Sequence, residues 1–231
     1  DSATEIIDFS SDEEKLSKLK PKPNKDRNPY YGDLHVHTKH SFDAYIFGIT
    51  ATPNDAYRYA KGDGIMHPMG YEMKLREPLD FYSVTDHGFF MGMLNAWSDT
   101  STDISQKDFA KPFHDLNRVE NLTAESAGPR SALFSQILGG TVTQTYSDLS
   151  PNVLKAWLTK NTQTALKSFD YEIHKSAWED VARAANEHND PGHFTTFIGY
   201  EFTTSTNVEG GNLHRNVIFN SSKAPIRPWT R

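Results

Sequence analysis

The sequence predicts an α/β fold in which apolar strands alternate with helices around a parallel sheet or barrel. Three observations carry this. Short apolar strands recur with helical segments between them. Histidines and carboxylates sit at or near the ends of those strands, chiefly the C-terminal ends where (β/α) folds build their sites. The 231-residue length suits one large domain with a substantial core, and the 12% aromatic content argues against disorder.

Residues 1–28 read as an N-terminal arm, acidic through Glu14 and then Lys/Pro-rich to Lys25, mobile or draped over the surface. Residues 29–231 carry the folded part. Tyr30 to Thr38 is the first strand, within which Gly32-Asp33-Leu34-His35-Val36-His37-Thr38 places His35 and His37 on one face. That heptad alone fits a metal-binding pair and two incidental histidines equally well. Lys39 to Ala44 is a loop with His40, Ser41 and Asp43. Thr52 caps a helix with Pro53 in its first turn, running to Lys61. Residues 65–77 form a hairpin turning at Pro68-Met69-Gly70. Leu79 to Val84 is a second strand ending in Thr85-Asp86-His87-Gly88.

Residues 89–175 contain no strand followed by ligand-type residues and read as a largely helical insertion or cap. It has a short helix around Met91–Trp97, a polar loop at Asp99–Asp103, and helical periodicity over Ser131–Leu138 and Val153–Thr164. Trp157 and Trp178 are read as packing residues. Ser176 and Glu179 form a capping box that opens a helix to His188, with Trp178, Val181, Ala182 and Ala185 on its buried face. Phe194 to Phe202 is a third strand bearing Glu201, and Asn212 to Asn220 a fourth bearing His214.

Composition narrows the chemistry. There are no cysteines, so disulfides and thiolate metal sites are excluded and any metal sits on nitrogen and oxygen. The net charge of −6, with no Lys/Arg stripe, argues against a nucleic-acid partner. No apolar run approaches the roughly 20 residues that span a bilayer. The chain opens on Asp1 without Met, which favours an exported, periplasmic or secreted protein with its signal removed over a cytoplasmic protein or a cleavage boundary.

The ligand-type residues at or near strand ends are His35, His37, Asp43, Asp86, His87, Glu201 and His214. Imidazole suits Zn and Fe, and carboxylates suit Mn and can bridge two ions. This set exceeds what one tetrahedral zinc takes, which favours two or more ions. The ordered motifs Gly32–Thr38, Ser41-Phe42-Asp43-Ala44, Ala51-Thr52-Pro53, Val84-Thr85-Asp86-His87, His188–Gly192, Phe197–Glu201 and Asn212–Phe219 resemble the PHP (polymerase and histidinol phosphatase) superfamily. They resemble more closely a large bacterial family of PHP-like proteins catalogued as a domain of unknown function.

That resemblance implies a distorted (β/α)7, TIM-like barrel with two or three divalent ions (Zn, Mn or Fe) at the C-terminal ends of its strands. It implies metal ligation by His35, His37, Asp43, His87, Glu201 and His214, with Glu201 bridging. Asp86 and Glu201 are the catalytic carboxylates expected, and Asp33 and Thr38 would orient the imidazoles. Arg215, His40 and Lys39 are candidates for holding substrate. The expected activity is that of a phosphoesterase using a metal-bridging hydroxide on a small phosphorylated substrate. Alternatives are amidohydrolase-like hydrolysis at carbon, for which the usual metal-bridging lysine is not apparent, and a non-catalytic metal-binding protein. The family pattern continues past Arg231, so a C-terminal portion of the same protein is expected to complete the barrel.

Overall fold

The computed structural model describes residues 5–10, 24–137, 168–205 and 212–229. They form a mixed α/β structure. Its centre is a three-stranded parallel sheet of β2 (Gly32–Val36), β5 (Phe81–Val84) and β6 (Thr195–Thr196), with β5 in the middle. Two helices pack on it. One is α2 (Pro53–Ala60), closed by a reciprocal capping box between Thr52 and Asp55. The other is α5 (Tyr171–His188), whose Trp178, Val181, Ala182 and Ala185 are buried as the periodicity predicts. Tyr57, Val84, Trp178, Ile198 and Tyr200 meet in the core between them.

The expected run of parallel strands breaks at its end. β7 (Gly199–Ser205) and β8 (Asn212–Ile218) form an antiparallel hairpin, with Glu201 opposite Asn216 and Thr203 opposite His214. A parallel pair needs a crossover of about a dozen residues or more, and the interval between Ser205 and Asn212 is too short for one. The hairpin joins the sheet through an isolated parallel bridge between His87 and Glu201. No closed barrel is formed among the described residues.

Other expectations need correction. Part of the N-terminal arm is ordered as β1 (Ile6–Asp8), antiparallel to β9 (Lys223–Pro225), with Ile7 and Phe9 packed against the core. Its apolar residues supply the burial that the neighbouring charge run obscured. The helix expected to open at Ser176 begins earlier, because the Asp170 carboxylate accepts the N–H groups of Glu172 and Ile173. Ser176 and Glu179 therefore lie inside it. The hairpin at 65–77 forms as β3 (Ile65–Met66) and β4 (Glu72–Met73).

Residues 39–44, read as a loop, include the start of a short helix, α1 (Phe42–Ile46). Residues 89–137 pack as a second layer of short helical turns with α3 (Met93–Ser98) and α4 (Ala127–Ile137). Phe90, Met93, Leu94, Trp97 and Phe113 bury a second core there, together with Phe42 and Ile46 of α1. The helical periodicity at 153–164 and Trp157 lie outside the described residues. No helix among the described residues is long and apolar enough to cross a membrane.

Candidate metal centre

The parallel sheet delivers its polar residues to one end. β2 loses register with β5 between Asp33 and Val36. There the Asp33 carboxylate, rather than a ladder partner, accepts the His35 backbone N–H at 2.8 Å. Beyond the break, Val36 bonds again to Thr85 through backbone and side chain. His35 and His37 emerge beside each other, ring centroids 5.2 Å apart. β5 runs straight into Asp86 and His87, and His87 stands edge-on to His37 at 4.7 Å. Glu201 enters from β7 and His214 from the facing position region of β8.

Gly199 allows the entry of Glu201. A Cβ there would come within 2.8 Å of Ser83 Oγ and 3.1 Å of the Val217 carbonyl, so only glycine lets β7 lie this close to β5 and β8. Glu201 ends up fully buried, yet its oxygens face four imidazoles. Oε2 lies 3.1 Å from His35 Nε2, 2.8 Å from His37 Nε2 and 3.4 Å from His87 Nδ1, while Oε1 bonds to His214 Nδ1. Asp43, in the first turn of α1, has both oxygens 3.2 Å from His37 Nδ1, and Oδ2 is 3.4 Å from His87 Nε2. These contacts make three overlapping triads: His35, His37, Glu201; His37, Asp43, His87; and His87, Glu201, His214. All six residues expected as ligands are thus gathered in one place.

Electrostatics fit a cation. Burial opposes charge on the His37 ring, but Asp43 and Glu201 outweigh it and raise its pKa to about 10. Burial likewise opposes ionisation of Glu201, but His37, His87 and His214 bring it down to about 2. Asp43 is driven well below the usual carboxylate range by His37 and His87, again against burial. The His37 Nε2 atom is buried and makes no hydrogen bond. At 2.8 Å from Glu201 Oε2 it is near enough for one, so the oxygen must lie off the N–H direction. Two donor atoms that close, aimed past each other, suit ligands of a shared ion better than a hydrogen-bonded pair. With four imidazoles, two carboxylates and no thiolate, the residues present fit a borderline divalent metal.

The remaining expected residues fall elsewhere. Asp86 is fully buried and spends its oxygens on Thr38, accepting from its backbone N–H and, at 2.7 Å, from Oγ1. Successive residues of extended chain point to opposite sides, so His87 faces the cluster and Asp86 does not. Asp33 and Thr38 therefore act on backbone and on Asp86, not on imidazole rings. His40 is buried, its Nε2 2.9 Å from Asp180 Oδ2 on α5. The Lys39 charge lowers the pKa of that same Asp180, after the His40 hydrogen bond. Arg215 pairs with Phe202, on the hairpin face opposite to Glu201 and His214. His40 belongs to none of the three triads.

Ser41, Thr203 and Asn216 join the site without having been singled out. Ser41 Oγ donates to Asp43 Oδ1 at 2.5 Å, lies 3.1 Å from His37 Nδ1 and accepts the His87 N–H at 3.3 Å. Thr203 Oγ1 shares a 2.6 Å hydrogen bond with His87 Nδ1. Asn216 donates to the Leu34 carbonyl at 2.8 Å, tying β8 to β2 beside His35. The period of 2 on a strand could have found two of them, since Thr203 follows Glu201 by two positions and Asn216 follows His214 by two.

In comparisons with known proteins, the family described as "Protein of unknown function (DUF3604)" matches residues 24–230. No curated protein and no solved structure matches the chain.

Proposed function

The chain belongs to the DUF3604 family, whose description assigns no activity, and from the chemistry of the site we propose that it is a metal-dependent hydrolase, most specifically a phosphoesterase. The observation that carries this is the overlap of three His/carboxylate triads on one buried glutamate, Glu201. His35, His37, Glu201, His87 and His214, with Asp43, would hold more than one divalent ion. Such ions supply a nucleophile at neutral pH by acidifying bound water, and they offset charge on the oxygens of a phosphoryl group.

The chain's own residues do the rest. Glu201 offers one oxygen to the β2 histidines and the other to His214, as a bridging carboxylate does. The His35 and His214 side chains are 58% and 41% exposed, whereas those of His87 and Glu201 are 3% and 1% exposed. The cluster therefore opens toward solvent on the His35/His214 side, where a small phosphorylated substrate would approach. Its inner wall is closed by Phe42, whose ring lies 5.0 Å from that of His87. Phosphorus as the target rests on the motif resemblance to PHP proteins, as does a distorted barrel for the complete protein. The parallel β2–β5–β6 core, with its ligands at one end, supports the barrel.

The test is a screen of phosphomonoesters and phosphodiesters, with carboxylic esters and amides alongside, using zinc- or manganese-loaded protein and His35→Ala. Turnover of a phosphate ester that His35→Ala loses is expected. Metal bound without turnover of any substrate would overturn the enzyme reading, and turnover confined to carboxylic esters or amides would move the reaction to carbon.

A further inference from the structure

Helix α1 carries Asp43 in its first turn and has 5 residues, too few to hold a helix in water without packing. Much of what holds it comes from the second layer. Phe42 and Ile46 are buried in the second core, and the Phe42 ring stacks on Phe134 of α4 at 5.8 Å. The Tyr45 hydroxyl bonds to that of Ser98 on α3. At the C-terminal end of α1, Asn117 donates to the Tyr45 carbonyl at 2.8 Å, and Arg130 of α4 donates to the Ile46 carbonyl.

Arg130 is the costly part of this arrangement. It is buried, and its partners among the described residues are neutral oxygens: the carbonyls of Ile46, Leu116 and Asn121, the Asn117 side-chain amide and the Ser126 hydroxyl. A buried charge without a counter-charge is expensive, and apolar residues of similar volume hold two elements together at lower cost. What a guanidinium adds is geometry, because its donors form a rigid planar fork that fixes the oxygens around it. Here the fork ties the end of α1 to the segments at Leu116-Asn117 and Asn121. At 1.5 Å of rise per residue, Ile46 lies only about 4.5 Å along the helix from Asp43, so a shift at one end reaches the other. Asp43 in turn lies 3.2 Å from His37 Nδ1 and 3.4 Å from His87 Nε2. Direct contacts thus run from Arg130 through α1 and Asp43 to two imidazoles of the cluster.

We infer that Arg130, with Asn117, is a positioning residue for the metal centre. It sets the place of Asp43 through the backbone of α1, so that the second layer fixes one wall of the centre as well as covering it. This rests on the reading of the cluster as a metal centre.

The test is the zinc affinity of chelator-treated protein, read by competition with a chromophoric chelator, with circular dichroism and the thermal midpoint measured alongside. Arg130→Met should weaken zinc about 10-fold or more, and Asn117→Ala should act in the same direction. In an Asp43→Asn background, itself weaker than the parent, Arg130→Met should weaken zinc little further, because the route passes through that carboxylate. His114→Ala removes another second-layer hydrogen bond, to the Ser105 carbonyl, and should lower the thermal midpoint without changing zinc affinity. An arginine that only stabilises the layer would behave as His114 does. Parental affinity in folded Arg130→Met, parental affinity in Asp43→Asn, or an equal loss from Arg130→Met in both backgrounds would each overturn the inference. Should Arg130→Met not fold, Asn117→Ala with and without Asp43→Asn carries the same comparison. Zinc bound by the parent without ester turnover would remove the phosphoesterase reading and leave the inference standing. Turnover by the parent with unaltered zinc affinity in Arg130→Met would do the reverse, and a parent that binds no zinc would overturn both.

Discussion

Glu201 concentrates the account at the scale of single residues. A fully buried carboxylate is costly unless it is paired, and this one is surrounded by imidazoles rather than by Arg or Lys. Glu201→Gln keeps the shape and removes the charge. It should bind at least one fewer ion per chain and lose nearly all hydrolysis, as read by metal analysis and ester turnover; full retention of both would refute the bridging role. Tyr57 gives a stability test remote from the metal. Its hydroxyl accepts the Val84 N–H at 3.2 Å, so Tyr57→Phe strands a buried donor. Urea unfolding should show a loss of about 1–3 kcal/mol. His174 gives the pH test. Burial lowers its pKa below the ordinary 6.5, and its Nε2 bonds to the Gly88 carbonyl at 2.8 Å. The unfolded chain then takes up the proton first, so this stability is complete above 6.5 and is lost as pH falls below that toward the folded value. His174→Gln should flatten the acid side of the stability profile relative to the parent protein, and an unchanged slope would contradict it.

At the scale of elements, the hairpin of β7 and β8 carries the most weight, because it brings Glu201 and His214 to histidines fixed on β2 and after β5. Gly199 sets its depth. Gly199→Ala must push β7 away from Ser83 or Val217, so metal affinity should fall even where circular dichroism shows the fold retained. Unaltered affinity would mean that the hairpin's depth is not what aligns Glu201. The strands of the site were legible in the sequence, because apolar runs ending in Asp86-His87 and Glu201 have the form of (β/α) strand ends. The antiparallel hairpin is legible too, because the interval before Asn212 is too short for the crossover that parallel pairing requires. The placement of Arg215 on the far face depends on that strand register. Asp170 as the cap of α5 was hidden by the Ser176/Glu179 capping pattern, which occurs inside the helix.

At the scale of the molecule, the six clustered side chains come from β2, α1, the segment after β5, and the hairpin. The sequence marks their identities but not their sharing. That two histidines each face two triads is a matter of ring orientation, set by Ser41, Asp43 and Thr203 across the fold. Because the ligands converge from elements far apart in the chain, an ion that binds the folded state alone stabilises the whole by mass action. Zinc or manganese should raise the thermal midpoint in proportion to the logarithm of its concentration, and His35→Ala should abolish most of that rise. The most direct test of the metal centre is an anomalous difference map from a crystal of the zinc-loaded protein. The account predicts a peak about 2.0–2.2 Å from ring nitrogens of His35 and His37 and from a Glu201 oxygen. Zinc bound elsewhere, with no peak within reach of Glu201, would contradict it.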